Sequence, residues 1–232
     1  YTAVGGTPGL KNAIVAKFKR ENNFDFEAKQ ILVSCGGKQS FFNLVLSVID
    51  PGDEVIIPAP YWVSYPDIVS LFEGTPVFIN CTIENHFKLR PEDLEKSITP
   101  KTKWLILNSP SNPTGCVYSK EELLAIATIL QKYPHVNILT DDIYEYLTFD
   151  GAEFVNLLNV APEFKERTLV INGVSKSYSM TGWRIGYGAG PKHLIQAMID
   201  LQSQSTSNPS SISQAAARAA LNGQIDFLNE WR

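Results

Sequence analysis

Cysteine is scarce in this sequence: Cys35, Cys81 and Cys116 are the three among 232 residues. An odd number at irregular spacing argues against a disulfide framework and offers no metal-ligand pattern. No metal site is expected, and free thiols point to a reducing, cytoplasmic setting. Long apolar runs are also lacking. None approaches the ~18–20 residues that span a bilayer, so no membrane association is expected. There is no long basic run, and the net charge is −4, which disfavours nucleic-acid binding. Internal repeats and low-complexity tracts are absent. An initiator Met and a signal-peptide pattern are missing at Tyr1, and Trp231-Arg232 falls inside what reads as an unfinished amphipathic helix. A fragment of a longer protein is therefore expected.

The residues present describe an ordinary globular chain. Hydrophobic content of 44% with 19% charged residues suits a soluble fold with one good-sized core. Helical spacing recurs at Leu10, Ile14 and Phe18, after Pro8 in a first turn, and predicts a helix over 8–22. Short apolar runs at 30–35, 54–58, 75–80, 103–108, 136–140, 167–172 and 185–190 predict buried strands. Helices are predicted between most of them, at 38–49, 63–72, within 85–98, and at 119–131. Further helices follow at 191–204 and 208–221. Ser119 and Glu122 form a capping-box pattern ahead of the fifth of these helices. Strand and helix in alternation predict an α/β fold: a mostly parallel central sheet with helices on both faces.

The chemistry gathers at strand exits. Lys176 follows the run Thr168–Asn172 and a Gly173 break. A lysine at a strand mouth, if partly desolvated, becomes nucleophilic toward a carbonyl. Arg184 is a planar cation suited to a phosphate. Gly36-Gly37, between a strand and a helix start, is a second place where phosphate fits. The Walker pattern fails there, because Gln39 stands where Ser or Thr follows Gly-Lys. Trp62 is placed to stack on a planar ring. Asn112 lies in the rigid loop Ser109–Gly115 and can offer an amide to a phenolate oxygen. One carboxylate of Asp141-Asp142 suits a protonated pyridine nitrogen. Each signal alone has a plain alternative: a tight turn, a core tryptophan, a solvated acidic pair. In a parallel sheet, however, Gly36-Gly37, Trp62, Asn112, Asp141 and Lys176 share one rim. An amine for an aldehyde and cations for a phosphate together suggest pyridoxal phosphate.

With these residues in order, the chain resembles the class I, fold-type I pyridoxal-phosphate aminotransferases, most nearly the bacterial-type aspartate aminotransferases. The resemblance is carried by Gly36-Gly37-Lys38-Gln39, Pro58–Tyr65, Asn108–Gly115, Asp141–Glu145 and Ser175–Arg184. It implies a Schiff base on Lys176, which then shuttles the proton between the substrate's Cα and C4′. It implies Asp141 on the pyridine nitrogen, Tyr144 and Asn112 on O3′, and Trp62 stacked on the ring. Backbone groups of Gly37 and Lys38, with Arg184, would hold the phosphate. Tyr1 would reach the phosphate of a partner in a homodimer. Trp62, Asn112 and Lys38 would border an amino acid or 2-oxo acid substrate, Lys38 meeting a distal carboxylate. The bonds before Pro60 and Pro113 resemble ones that are cis in the family.

The implied reaction moves an amino group from L-aspartate to 2-oxoglutarate by ping-pong chemistry; prephenate is a neighbouring substrate. Residues 1–232 would be the large cofactor-binding domain. The N-terminal segment and most of the small C-terminal domain, with the arginine that clamps the substrate's α-carboxylate, are expected to lie outside it, so this piece alone is expected to be inactive. Gly173 stands where many relatives place a phosphate-binding serine, and Ser175 is a weak substitute. Two rival readings remain: a cofactor-binding domain without turnover, and a nucleotide-binding Rossmann protein. The second is disfavoured because neither Gly36-Gly37 nor Gly186-Tyr187-Gly188-Ala189-Gly190 meets the dinucleotide fingerprint.

Overall fold

A computed structural model describes residues 1–231; Arg232, part of the expected terminal helix, lies outside the described residues. The chain runs α1 (Pro8–Lys17), β1 (Ile31–Ser34), α2 (Gly37–Val48), β2 (Glu54–Ala59), α3 (Ser64–Leu71) and β3 (Thr75–Asn80). It continues with α4 (Pro91–Ser97), β4 (Thr102–Asn108), α5 (Lys120–Gln131), β5 (Asn137–Asp141), α6 (Leu157–Val160) and β6 (Thr168–Gly173). Last come β7 (Gly186–Ala189), α7 (Lys192–Gln204), α8 (Ser211–Asn222) and α9 (Leu228–Trp231).

The strands form one seven-stranded sheet in the order β1-β7-β6-β5-β4-β2-β3. β7 is antiparallel to both of its neighbours, and every other pairing is parallel. Six strands therefore point one way. The mostly parallel sheet expected from the sequence is observed, with β7 as its one reversed member. The C-terminal ends of β1, β2, β4, β5 and β6 share one rim. The Gly186–Gly190 run lies within and just after the reversed strand, which removes the geometry of a dinucleotide loop.

Alternate strand residues feed two cores. Ile31, Val33, Leu105, Leu107, Ile138 and Val170 pack on the side of α1, α4, α5, α6 and α8. Leu32, Trp104, Ile106, Leu139, Leu169 and Ile171 pack on the side of α2, α3 and α7. Helices on both faces follow from this two-sided burial. The capping box at α5 is present in both directions: Glu122 N–H donates to Ser119 Oγ at 3.3 Å, and Ser119 N–H donates to Glu122 Oε2 at 2.7 Å. The helix expected over 8–22 is α1 plus a π-helical segment, Phe18–Asn22, closed by Asn23 in the left-handed region. Among the described residues no helix is long and apolar enough to cross a membrane, and no group of His, Cys, Asp or Glu can hold a metal.

Candidate active site

The rim of strand ends opens on a cavity of about 280 Å³. Gly37, Lys38, Trp62, Asn112, Asp141, Tyr144, Lys176 and Arg184 all line it, and so does Ser175. Tyr1 does not; it is wholly exposed at the start of the chain. One cavity thus gathers side chains from five strand exits, which sequence separation alone would scatter.

Its floor is Asp141, the last residue of β5, which is almost fully buried. Tyr65 Oη donates to Asp141 Oδ2 at 2.7 Å, and Ile143 N–H reaches Oδ1 at 3.4 Å. Neither partner carries a charge. Burial pushes the Asp141 carboxyl above the ordinary carboxylate range, opposed by the Tyr65 and Ile143 hydrogen bonds. Burial, then the Asp141 charge, drives the Tyr65 hydroxyl well above its ordinary value. Asp142, one residue on, projects elsewhere: it accepts from Asn156 Nδ2 at 2.6 Å and lines no part of the cavity. The alternation of a strand decides which of two adjacent aspartates serves the site.

Lys176, after the end of β6, lines the same cavity, with Nζ 5.6 Å from the centroid of the Tyr144 ring. The residue is solvent-exposed. Asn112 N–H donates to Asn108 Oδ1 at 2.8 Å, and Asn108 Nδ2 donates to the Asp141 carbonyl at 2.8 Å. Asn108 therefore ties the Asn112 loop to the strand that carries Asp141. The peptide bonds before Pro60 and Pro113 are cis, as the resemblance implies, and so is the bond before Pro110. Trp62 packs edge-on against Tyr65, with ring centroids 5.3 Å apart, and Lys38 Nζ sits 5.0 Å over the Trp62 ring.

One side of the cavity combines a helix N-terminus with one guanidinium. α2 begins at Gly37 with no side-chain cap, so its N-terminus faces the cavity with a positive field. Arg184 lies beside it; Nη1 donates to the Thr181 carbonyl at 2.9 Å and Nη2 to the Cys35 carbonyl at 3.3 Å. Gly36 holds φ +88°, and a Cβ there would come within 2.2 Å of Arg184 Nη2. The positive φ favours glycine there. Burial raises the Cys35 thiol pKa, and Arg184 opposes the shift. Gly186 backs the same loop: a Cβ would meet Gly37 N at 2.2 Å and Gly36 C at 2.4 Å. Backbone atoms cannot step aside. Gly186→Ala is expected to cost at least ~1–3 kcal/mol by overpacking. At about 2–4 °C per kcal/mol for this chain length, thermal unfolding by circular dichroism will show the loss; an unchanged melting temperature would contradict the packing described.

Tyr65, Asn108, Ile143 and Thr181 also line the cavity and were not assigned roles from sequence. Asn108 had a usable signal: it closes the apolar run 103–108, a strand exit like that of Asp141, with which it pairs in register.

The whole chain, residues 1–232, matches the family model for aminotransferase class I and II. The chain belongs to that family. An aspartate/prephenate aminotransferase of Nitrosomonas europaea is 65% identical over 223 residues, covering 96% of this chain and 56% of the relative. Among solved structures, the aspartate aminotransferase of Rhizobium meliloti superposes with a TM-score of 0.98 at 54% identity, covering 99% of this chain and 57% of that one. The aspartate aminotransferase of Thermus thermophilus with maleate gives a TM-score of 0.94 at 42% identity, covering 99% and 60%. The chain thus spans little more than half the length of these relatives.

Proposed function

We propose that this chain is the large, cofactor-binding domain of a pyridoxal-phosphate-dependent aminotransferase that transfers an amino group from L-aspartate to 2-oxoglutarate. The observation that carries the reading is the meeting of Lys176, Asp141, Trp62 and the Gly37–Arg184 anion cradle around one cavity. The donor set fits the group. A buried carboxylate without a charged hydrogen-bond partner suits a protonated ring nitrogen. A helix N-terminus without a side-chain cap, backed by Gly186 where backbone leaves no room for a Cβ and flanked by a guanidinium, suits a phosphate. When bound, pyridoxal phosphate supplies an aldehyde for an amine and a ring that accepts electrons from the substrate's α-carbon.

The residues divide the work. Lys176 would hold the aldehyde through its amine and, once freed by substrate, would carry the proton that leaves the substrate's α-carbon. Asp141 would pair with the protonated pyridine nitrogen. Tyr144 and Asn112 would donate to the ring's phenolic oxygen. Trp62 would stack on the ring, and the backbone N–H groups of Gly37 and Lys38, with Arg184, would hold the phosphate. Trp62 and Asn112 also border the substrate. The remaining segments of the intact protein would supply the clamp for its α-carboxylate. Tyr1 would reach the phosphate of a second copy in a homodimer, and a cytoplasmic location accords with the free cysteines.

Relatives bearing both names favour prephenate as a second acceptor or donor pair. Lys38, exposed at the cavity mouth, suits a distal carboxylate in either case, and maleate, a dicarboxylate, accompanies the Thermus thermophilus enzyme. Lys38→Ala in the intact protein is expected to lower kcat/KM for aspartate by about 10–100-fold, the worth of a charge-assisted hydrogen bond. The same value for alanine should barely change. Equal losses for both would contradict the assignment. The reaction itself is tested by adding L-aspartate to the cofactor-loaded protein and recording the visible spectrum. Conversion to the amino form of the cofactor supports transamination; a bound cofactor with no half-reaction for any amino acid would instead identify a domain without turnover.

A further inference from the structure

Lys17, the last residue of α1, is wholly buried. Its Nζ makes a short ion pair with Glu145 Oε1, donates to Asn22 Oδ1 at 2.8 Å, and lies 3.7 Å from Glu21 Oε2. Glu145 is buried too, and both of its oxygens are engaged further. Oε1 accepts from Asn172 Nδ2 at 2.8 Å, and Oε2 accepts from Asn22 Nδ2 at 3.0 Å. Neither Lys17 nor Glu145 lines the cavity. A buried ion pair of this kind is a poor stabiliser, because an apolar pair of similar volume often serves as well. Directional bonds to fixed points are what an apolar pair does not provide.

Those points belong to three segments distant in sequence. Lys17 and Asn22 flank the π-helical turn after α1. Glu145 immediately follows Tyr144, and its N–H donates to the Asp142 carbonyl at 2.9 Å. Asn172 is the penultimate residue of β6, and its Oδ1 accepts from Gly173 N–H at 2.7 Å, at the start of the segment leading to Lys176. The Glu145 carboxylate therefore joins the segment bearing Tyr144 to the one bearing Lys176.

We infer that Glu145, held by Lys17, Asn22 and Asn172, is a positioning residue that sets the spacing of Tyr144 and Lys176 for the transamination reaction proposed above. The site's two reacting segments are braced from behind by one carboxylate.

The test uses the intact protein with two variants, Glu145→Gln and the double substitution Lys17→Met/Glu145→Leu. Glu145→Gln leaves the buried Lys17 ammonium with Glu21, at 3.7 Å, as its remaining charged partner and is expected to lower the melting temperature. The apolar double variant removes both charges and should recover part of that loss, the Asn22 and Asn172 amides losing partners. Yet its kcat should fall about 10–100-fold, the effect of misplacement by roughly 1 Å, with the KM for aspartate nearly unchanged. The pH at which the visible band of bound pyridoxal phosphate changes should also move. In the cofactor-free protein, amide hydrogen exchange over 143–146 and 172–178 should accelerate. A stable double variant with wild-type kcat, band titration and exchange would overturn the inference, and so would failure of both variants to fold, which marks a pair needed for folding alone. Wild-type protein that binds the cofactor without a half-reaction would overturn the transaminase reading instead, and the band and exchange measurements would still decide the role of Glu145.

Discussion

Lys176→Ala in the intact protein is expected to abolish the visible band of the lysine-bound cofactor and to lower turnover by at least about 10⁴-fold. The lower bound is the upper end of what a positioned acid–base group supplies alone. Lys176 is asked to do two things, to bind the aldehyde covalently and to carry the α-proton, so the two losses compound. The side chain is exposed and makes no contact that the fold depends on beyond its place over the Tyr144 ring. Melting temperature should therefore stay within a degree or two of wild type. Retained turnover, or a retained band, would remove Lys176 from the mechanism. The variant should still bind the cofactor's phosphate, because the Gly37–Arg184 cradle is untouched.

Asp141→Asn is expected to give the second largest effect, and its sign differs between stability and activity. In the cofactor-free protein, burial raises the Asp141 pKa above the ordinary value. A carboxyl whose folded-state pKa is raised favours the folded state when protonated. Its contribution is fully present below the unfolded pKa and is lost as pH rises through the folded one. At neutral pH the ionised group is thus a cost, and the isosteric amide removes it while still accepting from Tyr65 Oη. Asp141→Asn should melt higher than wild type at pH 7, and the gap should close toward pH 3. Activity should move the other way. Removing the charge that faces a buried ring nitrogen costs about 2–5 kcal/mol, on the order of 30–5000-fold in rate. A variant both less stable at neutral pH and fully active would contradict the role assigned. The pattern is that of a site residue kept at the expense of the fold.

Much of this was legible in the sequence because strand ends in a parallel sheet converge by construction. Gly36-Gly37, Trp62, Asn112, Asp141 and Lys176 each sit where an apolar run stops, and the sheet brings them to one rim. The choice between Asp141 and Asp142 did not follow from composition. It rests on strand alternation and on Asn156, whose amide claims Asp142 from the other face. Tyr65 was hidden because a tyrosine in an amphipathic helix reads as core; only the coordinates show its hydroxyl beneath Asp141. Lys17 was hidden for a related reason. A lysine at the end of a helix reads as a solvated cap, and its burial depends on Glu145 and Asn172, far along the chain. Local pattern finds the elements and their ends. It does not find polar groups whose partners are supplied by remote segments.

The most direct measurement is borohydride reduction of the pyridoxal-phosphate-loaded protein, followed by peptide mass mapping. The account predicts one reduced cofactor per chain, covalently fixed on Lys176 and protected from exchange by no other lysine. Label on Lys38 or scattered over the surface, with Lys176 unmodified, would contradict it.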